Sequence, residues 1–223
     1  MKQFKRSLAR ISLCGLCVAA LTTSALSQGF YFNADLGAAL ADNVSVNQFL
    51  VPTPGTKFEL DTGIRMGVAG GYNFNEYVGL ELETGYIYNS VKGIVGGGPN
   101  IDASLAHVPF IFNVVFRCDR TNSNWVPYFG AGAGGDASVI NLNNTVTPVS
   151  GVTIDGSDVN MVFAWQAFAG VRYKIAPNMS IGAGYKYYQA DGATWDVQYN
   201  GSSSIQFGQA RVHSILVEFN MKF

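Results

Sequence analysis

His213, Ser214 and Glu218 lie close together near the end of the chain and carry the base, nucleophile and acid of a hydrolytic site. Catalysis would need the base within hydrogen-bond reach of the nucleophile. In a strand adjacent side chains point to opposite faces, so His213 and Ser214 diverge. Gly130, Gly132 and Gly135 satisfy the G-x-G-x-x-G spacing of a phosphate-binding loop. That reading requires a helix to follow, and the Asn/Thr/Val-rich stretch 137–150 has no helical period. The two histidines, His107 and His213, do not make a zinc site. Asp155, Asp158, Asp191 and Asp196 fall in two long polar segments and have the chemistry to hold divalent cations. Solvated loop charge is the simpler account of them. No catalytic, cofactor-binding or metal site is expected, and no cofactor.

A second set of residues does a different kind of chemistry. Asp35, Arg65, Glu81, Glu83, Arg117, Arg172, Lys186, Glu218 and Lys222 are acids and bases of comparable number, scattered over nearly the whole chain. Brought together in an enclosed space, they would pair to offset the cost of desolvation. What brings them together is the element pattern. From Tyr77 to Tyr88, Val78, Leu80, Leu82, Thr84, Tyr86 and Tyr88 share one face, while Gly79, Glu81, Glu83, Gly85 and Ile87 share the other. From Phe163 to Tyr173, Phe163, Trp165, Ala167, Ala169, Val171 and Tyr173 alternate with Ala164, Gln166, Phe168, Gly170 and Arg172. Near the end, Ile215, Val217, Phe219, Met221 and Phe223 alternate with Ser214, Leu216, Glu218, Asn220 and Lys222. This is the strand period.

The pattern predicts eight strands, at 29–40, 58–74, 77–89, 104–117, 125–137, 160–175, 179–188 and 207–223. Their connections alternate in length. Asn75-Glu76, Cys118 to Asn124, and Ala176-Pro177-Asn178 are short; 41–57, 90–103, 138–159 and 189–206 are long and rich in turn-forming residues. Short turns at one end and long loops at the other describe a barrel of the outer membrane, its long loops outside the cell. The expected fold is therefore all-β, an eight-stranded antiparallel transmembrane β-barrel.

Composition agrees. Charged residues make up 13% of the chain, about half the share of a soluble domain. The 48% of hydrophobic residues are dispersed rather than gathered into a membrane-length run beyond the N-terminus. The apolar face carries the aromatics, and the opposite face mixes glycine with the nine charges. Such a face is too sparsely charged to solvate the outside of a soluble protein. It suits a lumen just wide enough to be filled by side chains. Tyr72, Phe74, Tyr77, Phe116, Trp125, Tyr173 and Phe223 at one end, and Tyr86, Tyr88, Phe110, Phe163, Trp165, Tyr185 and Tyr187 at the other, predict two interfacial girdles.

Residues 1–27 are expected to be a cleavable signal peptide and 28–223 the barrel domain. Lys2, Lys5, Arg6 and Arg10 precede an apolar segment from Ile11 to Leu21, and small Ala25 and Ser27 precede Gln28. The net charge is −1 for the whole chain; cleavage would remove four basic residues and leave −5. A mildly acidic chain does not point to nucleic acid. Cys14 and Cys17 would leave with the signal, and Cys118 alone forms no internal disulfide.

Several stretches resemble the OmpA/OmpX-like family of small outer-membrane β-barrels, including porin-family-type outer membrane protein β-barrel domains. They are Gly71-Tyr72-Asn73-Phe74, the run Pro127-Tyr128-Phe129-Gly130-Ala131-Gly132-Ala133-Gly134, Trp165-Gln166 with Ala169-Gly170-Val171-Arg172-Tyr173, and the closing strand to Phe223. The resemblance implies location in a Gram-negative outer membrane among lipid and lipopolysaccharide. Phe219, Met221 and Phe223 resemble the signal read by the barrel assembly machinery. A structural or surface-interaction role through the long loops, with a surface or host ligand, is the expected function. A small pore or hydrophobic-solute channel is the alternative, motivated by small inward residues such as Gly63, Gly67, Ala69 and Gly182. A lipid-modifying enzyme is the third reading and lacks a convergent site.

Overall fold

Alternation decides the architecture, because a strand with one apolar and one charged face needs both faces placed at once. The protein is described by a computed structural model covering residues 29–49, 51–95, 102–119, 123–146, 153–198 and 202–223. The expected signal peptide lies outside these residues. Among the described residues there are twelve strands: β1 (Phe30–Ala41), β2 (Val44–Phe49), β3 (Val51–Leu60), β4 (Gly63–Asn73), β5 (Val78–Ile94), β6 (Ala103–Arg117), β7 (Trp125–Val146), β8 (Thr153–Ala176), β9 (Met179–Ala190), β10 (Thr194–Gln198), β11 (Ser202–Phe207) and β12 (Ala210–Lys222).

Eight of them close a ring. β1 pairs with β4, then β5, β6, β7, β8, β9 and β12 follow in turn, and β12 returns to β1, every pairing antiparallel. Following paired residues around the ring from Phe163 leads through Gly135, Phe110, Thr84, Val68, Ala34, Phe219 and Ile181 to Tyr173. The walk ends ten residues further along β8, and that stagger fits strands tilted by about 40°. Closure leaves the wall without a free edge, which a membrane span demands.

Four strands were not expected. Segments 41–57 and 189–206 read as loops in the sequence, yet they hold β2, β3 up to Lys57, β10 and most of β11. These form a sheet in the order β10-β11-β2-β3-β5, joined to the barrel through β5. The expected strand 58–74 is likewise two, broken at Asp61-Thr62, and 207–223 splits at Gly208-Gln209. The expected loop 138–159 is mostly the extension of the β7–β8 hairpin. The physical reason is a second core at the extracellular end. Val44, Val46, Phe58, Val91, Leu105, Ile140, Trp195, Ile205 and Phe207 pack into one buried cluster. Val44, Val46, Trp195 and Ile205 come from the segments read as loops, each standing among polar and turn-forming residues, so no single segment announces the core.

The outer wall is apolar. Leu36, Met66, Leu82, Phe112, Phe129, Ile181, Ile215 and Val217 are all exposed, a surface that lipid and not water would cover. Rings pair near both ends of it. Phe30 with Tyr72, Phe116 with Phe129 and Trp125 with Tyr173 mark the periplasmic end. Trp165 with Tyr187, and Tyr187 with His213, mark the other.

Candidate functional site: a charged and polar lumen

The inward positions of the eight ring strands build the site in layers. At the periplasmic mouth Arg117 donates to Asn73 Oδ1, and Asp119, on the β6–β7 turn, accepts from Lys174 at 2.6 Å and from Lys222. Burial pushes the Asp119 carboxyl up, but the hydrogen bonds from Lys174 and Lys222 outweigh it and hold the group below its ordinary range. Lys222 therefore stands at the rim, 39% exposed, and not inside the lumen as the alternation of β12 suggested. The strand is ending there, and a lysine with a carboxylate at the mouth has no reason to bury its ammonium.

The next layer joins two carboxylates to rings and a guanidinium. Tyr31 donates to Glu81 at 3.1 Å. Arg172 donates to Glu218 at 3.0 Å, Tyr128 also donates to Glu218, and the Arg172 guanidinium sits 4.2 Å over the Tyr128 ring. Above it Glu83 gathers four donors: Arg65 at 2.9 Å, Lys186 at 2.6 Å, Gln166 at 2.7 Å and Asn113 at 2.9 Å. Lys186 also reaches Asp35 at 3.1 Å. Asp35, Arg65, Glu81, Glu83, Arg117, Arg172, Lys186 and Glu218 are all buried.

Sequence reading missed the neutral members. Asn113 and Gln166 tie Glu81, Glu83 and Arg65 into one network. Their signal was present as polar residues at inward positions, but charge drew the attention. A third group sits higher. His107 Nδ1 lies 2.7 Å from Asp136 Oδ2 and 3.0 Å from Ser138 Oγ, and Ser138 donates to Asp136 at 2.6 Å. Serine and carboxylate meet the same ring nitrogen. A nucleophilic triad needs them on opposite nitrogens, so this cluster is a buried polar tie.

The small inward residues leave less room than their sizes suggest. A side chain at Gly130 would meet the Phe168 ring, one at Gly184 the Tyr128 hydroxyl, and one at Gly67 the Asp35 carboxylate. The glycines seat large neighbours. Beside the His107 group the lumen is lined by a buried cluster of Ala39, Ile87, Ile111, Ala164, Ala190 and Val212, with the Tyr188 ring against His107.

The remaining candidates stay apart. His213 faces out, 2.6 Å from the Tyr185 hydroxyl, while Ser214 is buried inside. Gly130, Gly132 and Gly135 lie within β7, which continues past them as strand to Val146. Asp158 accepts from the Val159 amide, and the side chains of Asp155 and Asp196 lie outside the described residues. No group of three or more His, Cys, Asp or Glu gathers among the described residues as a metal site. Cys118 is a free, half-buried thiol. Phe219, Met221 and Phe223 lie along the outward side of the closing strand, and the Phe223 amide donates to Phe30 O at 3.0 Å.

Known proteins share this build. Outer membrane protein PagN of Salmonella typhimurium (strain LT2) is 29% identical over 201 residues, covering 81% of this chain and 82% of its own. An uncharacterized protein of Brucella abortus (strain 2308) is 24% identical over 196 residues, covering 74% of this chain and 69% of its own. Among solved structures, the Neisserial surface protein A gives a TM-score of 0.54 at 18% identity over 88% of this chain and 98% of that one. OprG of Pseudomonas aeruginosa gives 0.56 at 14% identity, with the same coverage of 88% and 98%. Both share the fold. Residues 11–223 match the family described as outer membrane protein beta-barrel domain, and the chain belongs to that family, as an integral protein of the Gram-negative outer membrane.

Proposed function

We propose that the protein is a non-enzymatic surface-interaction barrel, whose filled wall anchors a folded extracellular cap. The observation that carries this reading is the filling of the lumen, first by a paired charge network and, toward the exterior, by the buried cluster of Ala39, Ile87, Ile111, Tyr188 and Val212 beside His107 and Asp136. Paired side chains occupy the space an ion would need, and the cluster beside His107 and Asp136 fills the level above them. The nine lumen and rim charges are structural in this reading, with Lys222 acting at the mouth. The cap, built from β2, β3, β10, β11 and the β7–β8 hairpin, meets lipopolysaccharide and surface or host ligands. Residues 1–27 serve as the export signal, 28–223 as the barrel domain, and Phe219, Met221 and Phe223 address the chain to the barrel assembly machinery. PagN and the Neisserial surface protein A are named for the outer membrane and the surface, which supports the location of such a role.

The small-channel reading has one observation in its favour. Asn33 Oδ1 and Ser214 Oγ are buried without a protein partner, and water would satisfy them. Planar-bilayer recording separates the two readings. At most rare, small conductance steps are expected. Frequent large steps that scale with bulk salt would establish a continuous water path and displace the surface-interaction reading.

A further inference from the structure

The lipid-facing wall carries a groove at its periplasmic end. It encloses about 680 Å³ and is walled by Phe30, Phe32, Tyr72, Leu82, Phe112 and Phe223, a size usual for a small-molecule site. Its floor is the paired run Gly70-Gly71. Gly70 points outward, and a side chain built there would meet nothing within 4 Å. The groove runs into a second concavity at the rim, since Phe30, Tyr72 and Phe223 line both. That second space is polar. It brings Arg117 and Lys222 together with Glu76 and Asp119. Arg117 is 9% exposed, and its Nε has no partner.

We propose that this continuous site binds one zwitterionic aminophospholipid of the periplasmic leaflet, an acyl chain in the groove and the headgroup at the rim. The apolar walls match a hydrocarbon chain and nothing polar. Arg117 and Lys222 match a phosphate. Arg117 holds Asn73 Oδ1 and Asn75 O with its two terminal nitrogens. Its Nε and remaining N–H groups, and the Lys222 ammonium beside Asp119, are left for a phosphate oxygen. Glu76 and Asp119 match an ammonium. Asp119 is already engaged by Lys174 and Lys222, which leaves Glu76 as the partner for the amine. Both signs of charge at one rim favour a headgroup carrying both over a purely anionic one.

The test is native mass spectrometry of the full barrel, exchanged into detergent and supplied with dimyristoyl phosphatidylethanolamine. One lipid is expected to survive detergent exchange. Gly70→Trp fills the groove from an open position and should lose that lipid. Ala131→Trp places the same bulk on the outward face of β7, away from the groove, and should keep it. Glu76→Gln should lose the preference for phosphatidylethanolamine over phosphatidylglycerol. Dimyristoylglycerol, which has no phosphate, should be retained poorly. Heat-modifiable electrophoresis verifies that each variant is folded. Equal lipid retention by the two tryptophan variants, or none by the unmodified protein, would overturn the site. Equal retention of dimyristoylglycerol, or an unchanged preference in Glu76→Gln, would overturn the headgroup assignment.

Discussion

Arg65 donates to Glu83 at 2.9 Å, although the ladder sets Arg65 opposite Ile87 and Glu83 opposite Ala69. The contact is diagonal, made by two long side chains reaching along the lumen. Glu83 also accepts from Lys186, so one carboxylate answers two cations. Removing it should cost more than removing either base. Glu83→Gln is expected to destabilise the barrel by about 3–5 kcal/mol, because buried Arg65 loses its carboxylate and Lys186 keeps only Asp35. Arg65→Met should cost less, since Lys186 still answers Glu83. The double variant should cost less than the sum of the singles. Urea unfolding in lipid vesicles measures all three, and strict additivity would show that the pair is not coupled.

Acid should loosen the periplasmic mouth. The Asp119 carboxyl is held below its unfolded value, which is about 3.9, so its clasp on Lys174 and Lys222 is complete above that value. The stability it gives is lost as pH falls through the folded value. Unfolding should therefore accelerate as the pH falls below about 4. Asp119→Asn should already be faster at neutral pH and should lack this component of the acid response. An Asp119→Asn profile with the same acid dependence as the unmodified protein would refute the clasp.

The closing strand should govern assembly. Deleting Phe223 removes an outward ring and the amide that bonds Phe30 O. Export across the inner membrane should be unchanged, while the amount of heat-modifiable protein in the outer-membrane fraction should fall. Normal outer-membrane levels would contradict the assigned role of Phe219, Met221 and Phe223.

The cap should melt separately from the barrel. Ile205 is fully buried against Trp195 and Phe207 in the extracellular core. Ile205→Ala should cost the cap about 2–5 kcal/mol. Tryptophan fluorescence should then shift toward that of exposed indole, and protease should cut the cap, while the barrel stays heat-modifiable. Loss of both together would mean that cap and wall form one cooperative unit.

Much of the membrane barrel was legible in the sequence because its determinants are local. A period of two places Leu82 outside and Glu81 and Glu83 inside whatever the rest of the chain does. Short turns alternating with long connections then fix strand order and which end faces the cell. The same local rule placed His213 and Ser214 on opposite sides of the wall.

What the sequence could not decide depends on residues meeting across long separations. The ten-residue stagger of the ring sets which inward side chains share a level, so Gln166 reaches Glu83 and Lys186 reaches Asp35. Nothing near Asn113 or Gln166 in the chain marks them as members of a charge network. His107 finds Asp136 and Ser138 only because β6 and β7 are aligned there. The cap is the clearest case. Val44, Val46, Trp195 and Ile205 are single apolar residues in stretches rich in turn formers, and each gains by folding only when the others arrive. Their burial is a property of the converged hairpins, so tertiary structure alone turned those expected loops into strands.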